Sequence, residues 1–437
     1  MQVVYERCCG LDVHKRKIVA CLLTLDGGKL QKDIRTFSTT TNALLALLDW
    51  LTGAGCTHVA MESTGVYWKP VYNILEGHLE LLVVNAQHLK AVPGRKTDVK
   101  DAEWIAELLQ HGLLKASFVP PKFVRELRDL TRTRTSIVGD RAQAVNRLQK
   151  ILEDANIKLA CLPGGRWLRL PSQKILEDAN IKLASVATDI TGRSGRAMLR
   201  LIITGETDEK TLAELAKGRM RAKLGELEQA LIGAVTDHHR FLLAEQLNLV
   251  EYYEGMIERL NSGVEKLLLP CQKEIEILDS IPGVSRRTAE VLLAEIGTDM
   301  TRFPTHRHLA SWAGMCPGNK ESAGKRLSGK TRKGSPWLKS GLIEAAHGAS
   351  HTKDKYLSAQ YRRLVTRRGK KRALVAVGHS ILVIGYHLLL RKEIYKDLGG
   401  NYFDEQHRRQ VKIRLVNRLE RLGYKVALQE KLEKPAA

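Results

Sequence analysis

The sequence predicts an α/β domain, then a long helical arm, then a mostly helical C-terminal domain, a class best written α/β plus α. Three observations predict it. In residues 1–118, short β-branched and apolar runs alternate with one-faced helical patterns. Two later stretches, 123–155 and 241–269, carry apolar stripes at mixed three- and four-residue steps. Beyond residue 270, helical patterns are broken by a Pro-Gly turn and by a Gly-, Ser- and Lys-rich segment. The domains read from this are 1–118, 119–270, 271–395 and a basic helical tail at 396–437.

The first strand, near 6–12, ends in Asp12. A basic turn leads to a second run at 17–25, and Gly27-Gly28 turns the chain into a third at 30–37, the pattern of hairpins. A helix is expected at 41–52, a strand at 57–62 ending in Glu62, an amphipathic stretch at 66–76 and a strand at 79–85. The helix in DVKDAEWIAELLQHG follows, with apolar positions 102, 105, 108 and 109 at helical spacing and Gly112 as its stop. Three consecutive strands followed by alternating helices and strands is the element order of a ribonuclease H-like fold.

The arm pairs two long helical stripes, a coiled-coil arm or dimerisation stalk, or an ordinary bundle, with helical material at 186–240 around its far end. Arg128, Arg132 and Arg134 on its first helix suit a nucleic-acid backbone or a solvated face equally well. Inside the arm, QKILEDANIKLA at 149–160 recurs identically at 173–184, a 24-residue tandem duplication. Pro163, Gly164, Gly165 and Pro171 break helix between the copies, so a bulging loop or extra helical turn is expected there.

In the C-terminal domain, LDSIPGVSRRTAEVLLAEIG (278–297) reads as a helix-hairpin-helix turning at Pro282, Gly283 and Val284. Such a motif offers hairpin N–H groups and a helix N-terminus to a phosphate without reading sequence. The stretch 308–346 reads as a loop between helices, rich in Lys320, Lys325, Arg326, Lys330, Arg332 and Lys333. Residues 373–390 run for 18 positions without a charged side chain, the lower limit for a membrane span; the interspersed His379, Ser380 and His387 favour a buried helix and no membrane partner.

Lys plus Arg number 70 against 48 Asp plus Glu, a formal charge of +22, which calls for a polyanionic partner, nucleic acid above all. Aromatics are only 5%, so phosphate contacts rather than base stacking should carry the affinity. Seven scattered cysteines without a C-x-x-C fit reduced cytosolic thiols, and MQVVYERCCG lacks the pattern of a signal peptide. The paired His238-His239 lacks further ligands at zinc spacing and reads as an exposed helix end.

The chemistry rests on four acids. Singly, Asp12 is a turn former, Asp98 a helix N-cap and Asp101 a partner of the helix dipole. Jointly they differ: Asp12 and Glu62 end strands, while Asp98 and Asp101, three apart, share one side of a helix. Two Mg²⁺ ions about 3.5–4 Å apart need such a set of oxygen ligands to clamp the attacking and leaving oxygens of a phosphodiester.

GLDVHK (10–15), MESTGVYW (61–68), KTDVKDA (96–102), IPGV (281–284) and PGNKESAGK (317–325) occur in an order that resembles the DEDD transposases of bacterial insertion sequences, also called bridge-RNA-guided recombinases. The resemblance covers nearly the whole chain; the duplication is the main departure from it. It implies a RuvC-like domain with Asp12, Glu62, Asp98 and Asp101 as metal-binding tetrad, and a C-terminal transposase domain supplying a serine nucleophile, placed at Ser322 with Ser328 and Ser335 as alternates. It further implies donor and target DNA, a structured noncoding guide RNA, a homo-oligomer (dimer or tetramer) in which tetrad and serine meet between subunits, and a cytoplasmic, nucleoid-associated setting. Beside Ser322, Lys320, Lys325 and Arg326 would stabilise a pentavalent phosphorus. Two rivals remain: a resolvase or DDE-type nuclease that uses water, and a non-catalytic nucleic-acid-binding protein.

Overall fold

A computed structural model describes residues 3–63, 65–85, 101–157, 189–318, 320–322, 325–406 and 408–427, with backbone only for 320–328 and for 409–411 and 414. Asp98 and the second copy of the duplication lie outside the described residues. The chain forms two compact units, residues 1–121 and 122–437.

In the first unit, strands β1 (Arg7–Val13), β2 (Lys17–Asp26) and β3 (Lys29–Ser38) precede helix α1 (Thr41–Gly53), β4 (His58–Glu62), α2 (Trp68–Leu75), β5 (Glu80–Val84) and α3 (Asp101–Gln110). The five strands make one sheet in the order β3-β2-β1-β4-β5. The β1–β2 and β2–β3 pairs are antiparallel, while β1–β4 and β4–β5 are parallel. The chain therefore forms the mixed α/β domain that the strand and helix periodicities predict.

Period-two alternation sorts the strands onto two faces. Cys9, Leu11, Val59 and Met61 pack with Leu44, Leu47 and Leu51 of α1 and with Val71 and Leu75 of α2. Cys8, Cys21, Leu23 and Ala60 point the other way, onto Ala102, Ile105, Ala106 and Leu109 of α3. Strand β3 is charged and largely exposed, which suits a sheet edge that must not pair with another chain.

One residue brings α3 close. A Cβ on Gly10 would lie 2.3 Å from the carbonyl oxygen of Ala102 and 2.4 Å from the amide nitrogen of Ala106. Only a residue without a side chain lets the first turns of α3 rest directly on β1. Lys32 of β3 adds a polar tie, its Nζ 3.1 Å from Glu103 and 3.6 Å from Glu107.

The second unit is built on α4 (Lys122–Asp154), followed by α5 (Arg193–Thr204), α6 (Glu209–Glu214), a 3₁₀ turn, α7 (Leu224–Leu231) and α8 (Asp237–Leu268). The long helices α4 and α8 pack side by side and share two separate cores. At one end Ala144, Val145, Leu148 and Leu152 meet Leu243, Leu247 and Val250, together with Met198, Leu199 and Ile202 of α5 and Leu227 of α7. The first copy of the repeat terminates α4: Asn156 turns the chain at φ 62°, and the Ala155 carbonyl accepts a bond from the Ala234 amide at 2.9 Å. His239 belongs to the start of α8, where it forms a capping box with Thr236, as expected of a helix end.

At the other end Leu127, Val264 and Leu268 join the core of the remaining helices: α9 (Gln272–Asp279), α10 (Arg286–Ile296), α11 (His306–Trp312), α12 (Pro336–Ser350), α13 (Tyr356–Arg368) and α14 (Lys370–Arg391). Between α11 and α12 the chain forms a hairpin of β6 (Lys320–Ser322) and β7 (Lys325–Ser328). The sequence suggests only a loop there, because the short strands KES and KRLS carry no β-branched residue. Helices α15 (Tyr402–Gln406) and α16 (Arg408–Arg421) form the basic tail.

The arginines of α4 correct both readings offered for them. Arg132 donates from Nε and Nη2 to the two oxygens of Glu295, at 2.7 and 2.9 Å. Arg134 reaches Glu290 at 2.6 Å and Asn261 at 3.2 Å. Arg128 donates to the Ala294 carbonyl at 2.7 Å and also to that of Glu295, so it caps the C-terminus of α10. Burial pushes the Arg128 guanidinium down to about 10. These side chains tie the arm to α10, with Arg134 buried and Arg132 partly exposed, so their partners lie within the fold.

Helix α14 is long and apolar enough to cross a membrane. Val377, Ile381, Leu382, Tyr386 and Leu389 instead join the core, and the Tyr386 hydroxyl donates to the Phe303 carbonyl at 3.0 Å.

Candidate active site

The parallel pairing of β1 with β4 sets Leu11 opposite Met61, so Asp12 and Glu62 follow at neighbouring strand ends. Alternation puts both on the face that α3 covers, since Leu11 and Met61 belong to the opposite core. Asp101 opens α3, and Gly10 holds that helix against β1 two residues before Asp12. The same arrangement makes the carboxylates interact. Burial pushes the Asp12 carboxyl above its ordinary value, His14 opposes the rise, and the charges of Asp101 and Glu62 add to it.

His14 is a neighbour that sequence reasoning did not single out. Its Nε2 lies 2.9 Å from Asp12 Oδ2. The signal was there: two positions apart along an extended chain, residues 12 and 14 fall on the same side of a strand.

A carboxylate such as Asp12, raised by burial and then by neighbouring acids, suits a hard divalent cation, which would relieve the repulsion. Among the described residues, no three His, Cys, Asp or Glu side chains are gathered closely enough to hold a metal ion. Asp98, the fourth sequence-predicted ligand, lies outside the described residues.

In the second unit, Ser322 ends β6, paired with Lys325 across the hairpin; Lys320 pairs with Ser328 and Glu321 with Arg326. The hairpin's root is a ribbon: the Gly318 amide donates to the Lys330 carbonyl at 2.9 Å and the Arg332 amide to the Cys316 carbonyl at 3.3 Å. Arg332 and Lys333 are exposed beyond it. Ser335 has a structural task, capping α12 through the Leu338 amide and donating to Glu295 at 2.9 Å.

The turn at Pro282, Gly283 and Val284 joins α9 to α10 as expected, but it faces inward. Val284 is buried and its amide donates to the Ile281 carbonyl at 3.0 Å. Gly283, at φ +87°, touches α12 so closely that a Cβ would lie 2.2 Å from the Ala349 nitrogen. The N-terminus of α10 is capped by Ser285, which accepts from Thr288. Two of the amides expected to meet phosphate therefore have partners within the fold.

Residues 9–157 match a family model described as a transposase, of the DEDD type found in IS110 elements, and residues 275–362 match one described as a transposase of the IS116/IS110/IS902 family. The chain belongs to the IS110/IS116 family of transposases. The first match spans all four predicted carboxylates, the second the α9–α10 turn and Ser322. This IS110-family chain is similar to the transposase for insertion sequence element IS1111A of Coxiella burnetii, 26% identical over 321 residues and 72% of each chain. It is also similar to the insertion element IS110 43.6 kDa protein of Streptomyces coelicolor, 30% identical over 269 residues, which are 58% of this chain and 61% of that one. A third relative, the insertion element IS116 44.8 kDa protein of Streptomyces clavuligerus, is 35% identical over 91 residues, 17% of this chain and 22% of its own.

Proposed function

We propose that this transposase cuts and exchanges DNA strands through a serine ester, with its carboxylates holding Mg²⁺. The observation that carries the proposal is that Asp12 and Glu62 end neighbouring strands on one face and that the charges of Glu62 and of Asp101, at the start of α3, act on Asp12. The sheet order β3-β2-β1-β4-β5, antiparallel then parallel, supports a ribonuclease H-like, RuvC-like reading of the domain.

In this reading Asp12, Glu62, Asp98 and Asp101 hold two Mg²⁺ ions. Bound there, the ions would lower the pKa of the attacking hydroxyl and offset charge on the leaving oxygen. The hydroxyl of Ser322 loses its proton to solvent and attacks a DNA phosphorus. The P–O3′ bond breaks, the 3′ oxygen takes up a proton, and Ser322 is left esterified to the 5′ phosphate. Lys320, Lys325 and Arg326, on the same hairpin, offer charge to the pentavalent phosphorus. Reversal of the same step on a second strand religates the ends, so bond energy is conserved.

Donor and target DNA are the substrates. A structured noncoding RNA that pairs with both is the proposed source of sequence recognition, in keeping with a chain of net charge +22 and few aromatics. The working form is proposed to be a homo-oligomer, dimer or tetramer, in the bacterial cytoplasm at the nucleoid. Ser335 is disfavoured as the nucleophile, since its hydroxyl is engaged as a helix cap and by Glu295.

The test is covalent trapping on a denaturing gel with Mg²⁺, element-end DNA and flanking RNA. A protein–DNA adduct that disappears in Ser322→Ala supports the serine ester. An adduct that persists moves the nucleophile to Ser328. Cleavage without any adduct in either protein assigns the reaction to water.

A further inference from the structure

We infer that the corner between α13 and α14, in the second unit, is a docking surface for the phosphate backbone of duplex DNA. Arg367 and Arg368 occupy the last turn of α13, and Lys370, Lys371 and Arg372 the first turn of α14. With Arg362 one to two turns back, all six are exposed. No Asp or Glu occurs between Asp354 and Glu393. Among the described residues, none of the six makes an ion pair. Their neighbour Arg363 differs, lying over the Phe403 ring at 5.1 Å and 3.6 Å from Asp404.

The fold gains nothing from this arrangement. Cations repel one another across a short turn, and three of them sit at the N-terminal end of a 22-residue helix, where the dipole favours anions. That end has no side-chain cap, and Gly369 enters it at φ 75°, which leaves first-turn amides of α14 open to an acceptor. A phosphate would relieve the repulsion and accept from those amides together. A chain of regularly spaced phosphates matches cations spread over two helix ends better than a single anion does.

The partner is a nucleic acid rather than an anionic membrane on the apolar balance of the surface. Among the described residues, no large hydrophobic side chain is exposed between Tyr356 and Leu389, so the corner offers nothing to insert among lipid chains. Duplex DNA is chosen because the inference rests on the reading of the chain as a DNA transposase. Contacts of this kind position a duplex without reading its sequence.

The test compares full-length protein with the variant R367Q/R368Q/K370Q/K371Q, using a random duplex of about 30 base pairs in EDTA and fluorescence anisotropy across rising salt. Each phosphate neutralised contributes about 0.9 to the slope of log K against log salt, so the variant's slope should be shallower by about 3 to 4, with weaker binding at low salt. A parallel melting curve confirms that the exposed substitutions leave the fold intact. An unchanged slope overturns the inference. So does a loss confined to a structured RNA, which would make RNA the partner, or one confined to phosphatidylserine vesicles. Binding in EDTA involves no strand cleavage, so failure of the serine-ester mechanism would leave this measurement standing.

Discussion

Arg132 and Glu295 form a two-pronged ion pair, Nε to Oε1 at 2.7 Å and Nη2 to Oε2 at 2.9 Å, between residues 163 positions apart. Glu295 is only 1% exposed and also accepts from Ser335, so one carboxylate links α4, α10 and the start of α12. Glu295→Ala strands Arg132 and removes the Ser335 bond. Arg132 is 36% exposed and can return partly to water, so the expected loss is about 2–3 kcal/mol, below the figure for a fully buried pair. Arg134→Ala leaves Glu290 buried alone and should cost more, about 3–5 kcal/mol. Urea denaturation of both variants checks the order; equal losses would contradict it.

Gly10→Ala tests the contact that carries Asp101 to Asp12. The added methyl would overlap the backbone of α3 at Ala102 and Ala106, and backbone cannot swing aside as a side chain can. Overpacking of this kind costs about 1–3 kcal/mol or more. Strand cleavage should fall by at least about tenfold under conditions where melting shows the protein still folded, because the helix bearing Asp101 must move away. Normal cleavage by a folded Gly10→Ala protein would remove α3 from the site.

Asp12→Asn separates chemistry from stability. If Asp12 holds a metal as proposed, cleavage should drop by more than about a hundredfold. In EDTA the stability should change in the other direction. The Asp12 carboxyl is raised in the fold, so between its unfolded and folded values the native state binds the extra proton. Stability contributed by this group is therefore present at low pH and lost as pH rises through the folded value. An uncharged asparagine escapes that loss, so at neutral pH Asp12→Asn should melt no lower than the parent. A clearly lower melting point would mean that Asp12 is chiefly structural.

Glu254 has the opposite sign. Burial tends to raise its carboxyl, but the hydrogen bonds and charges of Arg196 and Arg141, both at 2.6 Å, outweigh burial and lower it. Its contribution is complete above the unfolded value and disappears as pH falls through the lowered folded value. Glu254→Gln should therefore destabilise the protein at neutral pH, and the gap should close in acid below the ordinary carboxylate value of 4.5. A gap that stays constant with pH would assign the effect to packing.

Much of the first unit is legible in the amino-acid sequence. Its strands and helices lie within a few residues of their expected ends because period-two and period-3.6 patterns are local. The same alternation sets Asp12 and Glu62 at strand ends, and strand pairing then makes them neighbours. The rest of the site is harder to read. Spacing alone puts His14 on the side of Asp12, but only their 2.9 Å approach shows that the two side chains touch. The short β6–β7 hairpin resembles a loop in sequence because its residues carry no strand signal.

By itself, the sequence determined the order of elements, the faces of the strands, the excess of positive charge and the identity of the acids available for chemistry. Those depend on neighbours along the chain. Only the tertiary structure decided that Arg128, Arg132 and Arg134 serve the fold, that Ser335 is a cap, and that Gly10 is the seat of α3. For the arginines the partner lies far away in sequence, 163 residues for Arg132 and 156 for Arg134. A charge has no meaning for function until burial and its partner are known, because the same guanidinium binds a phosphate in water and a buried carboxylate in the core.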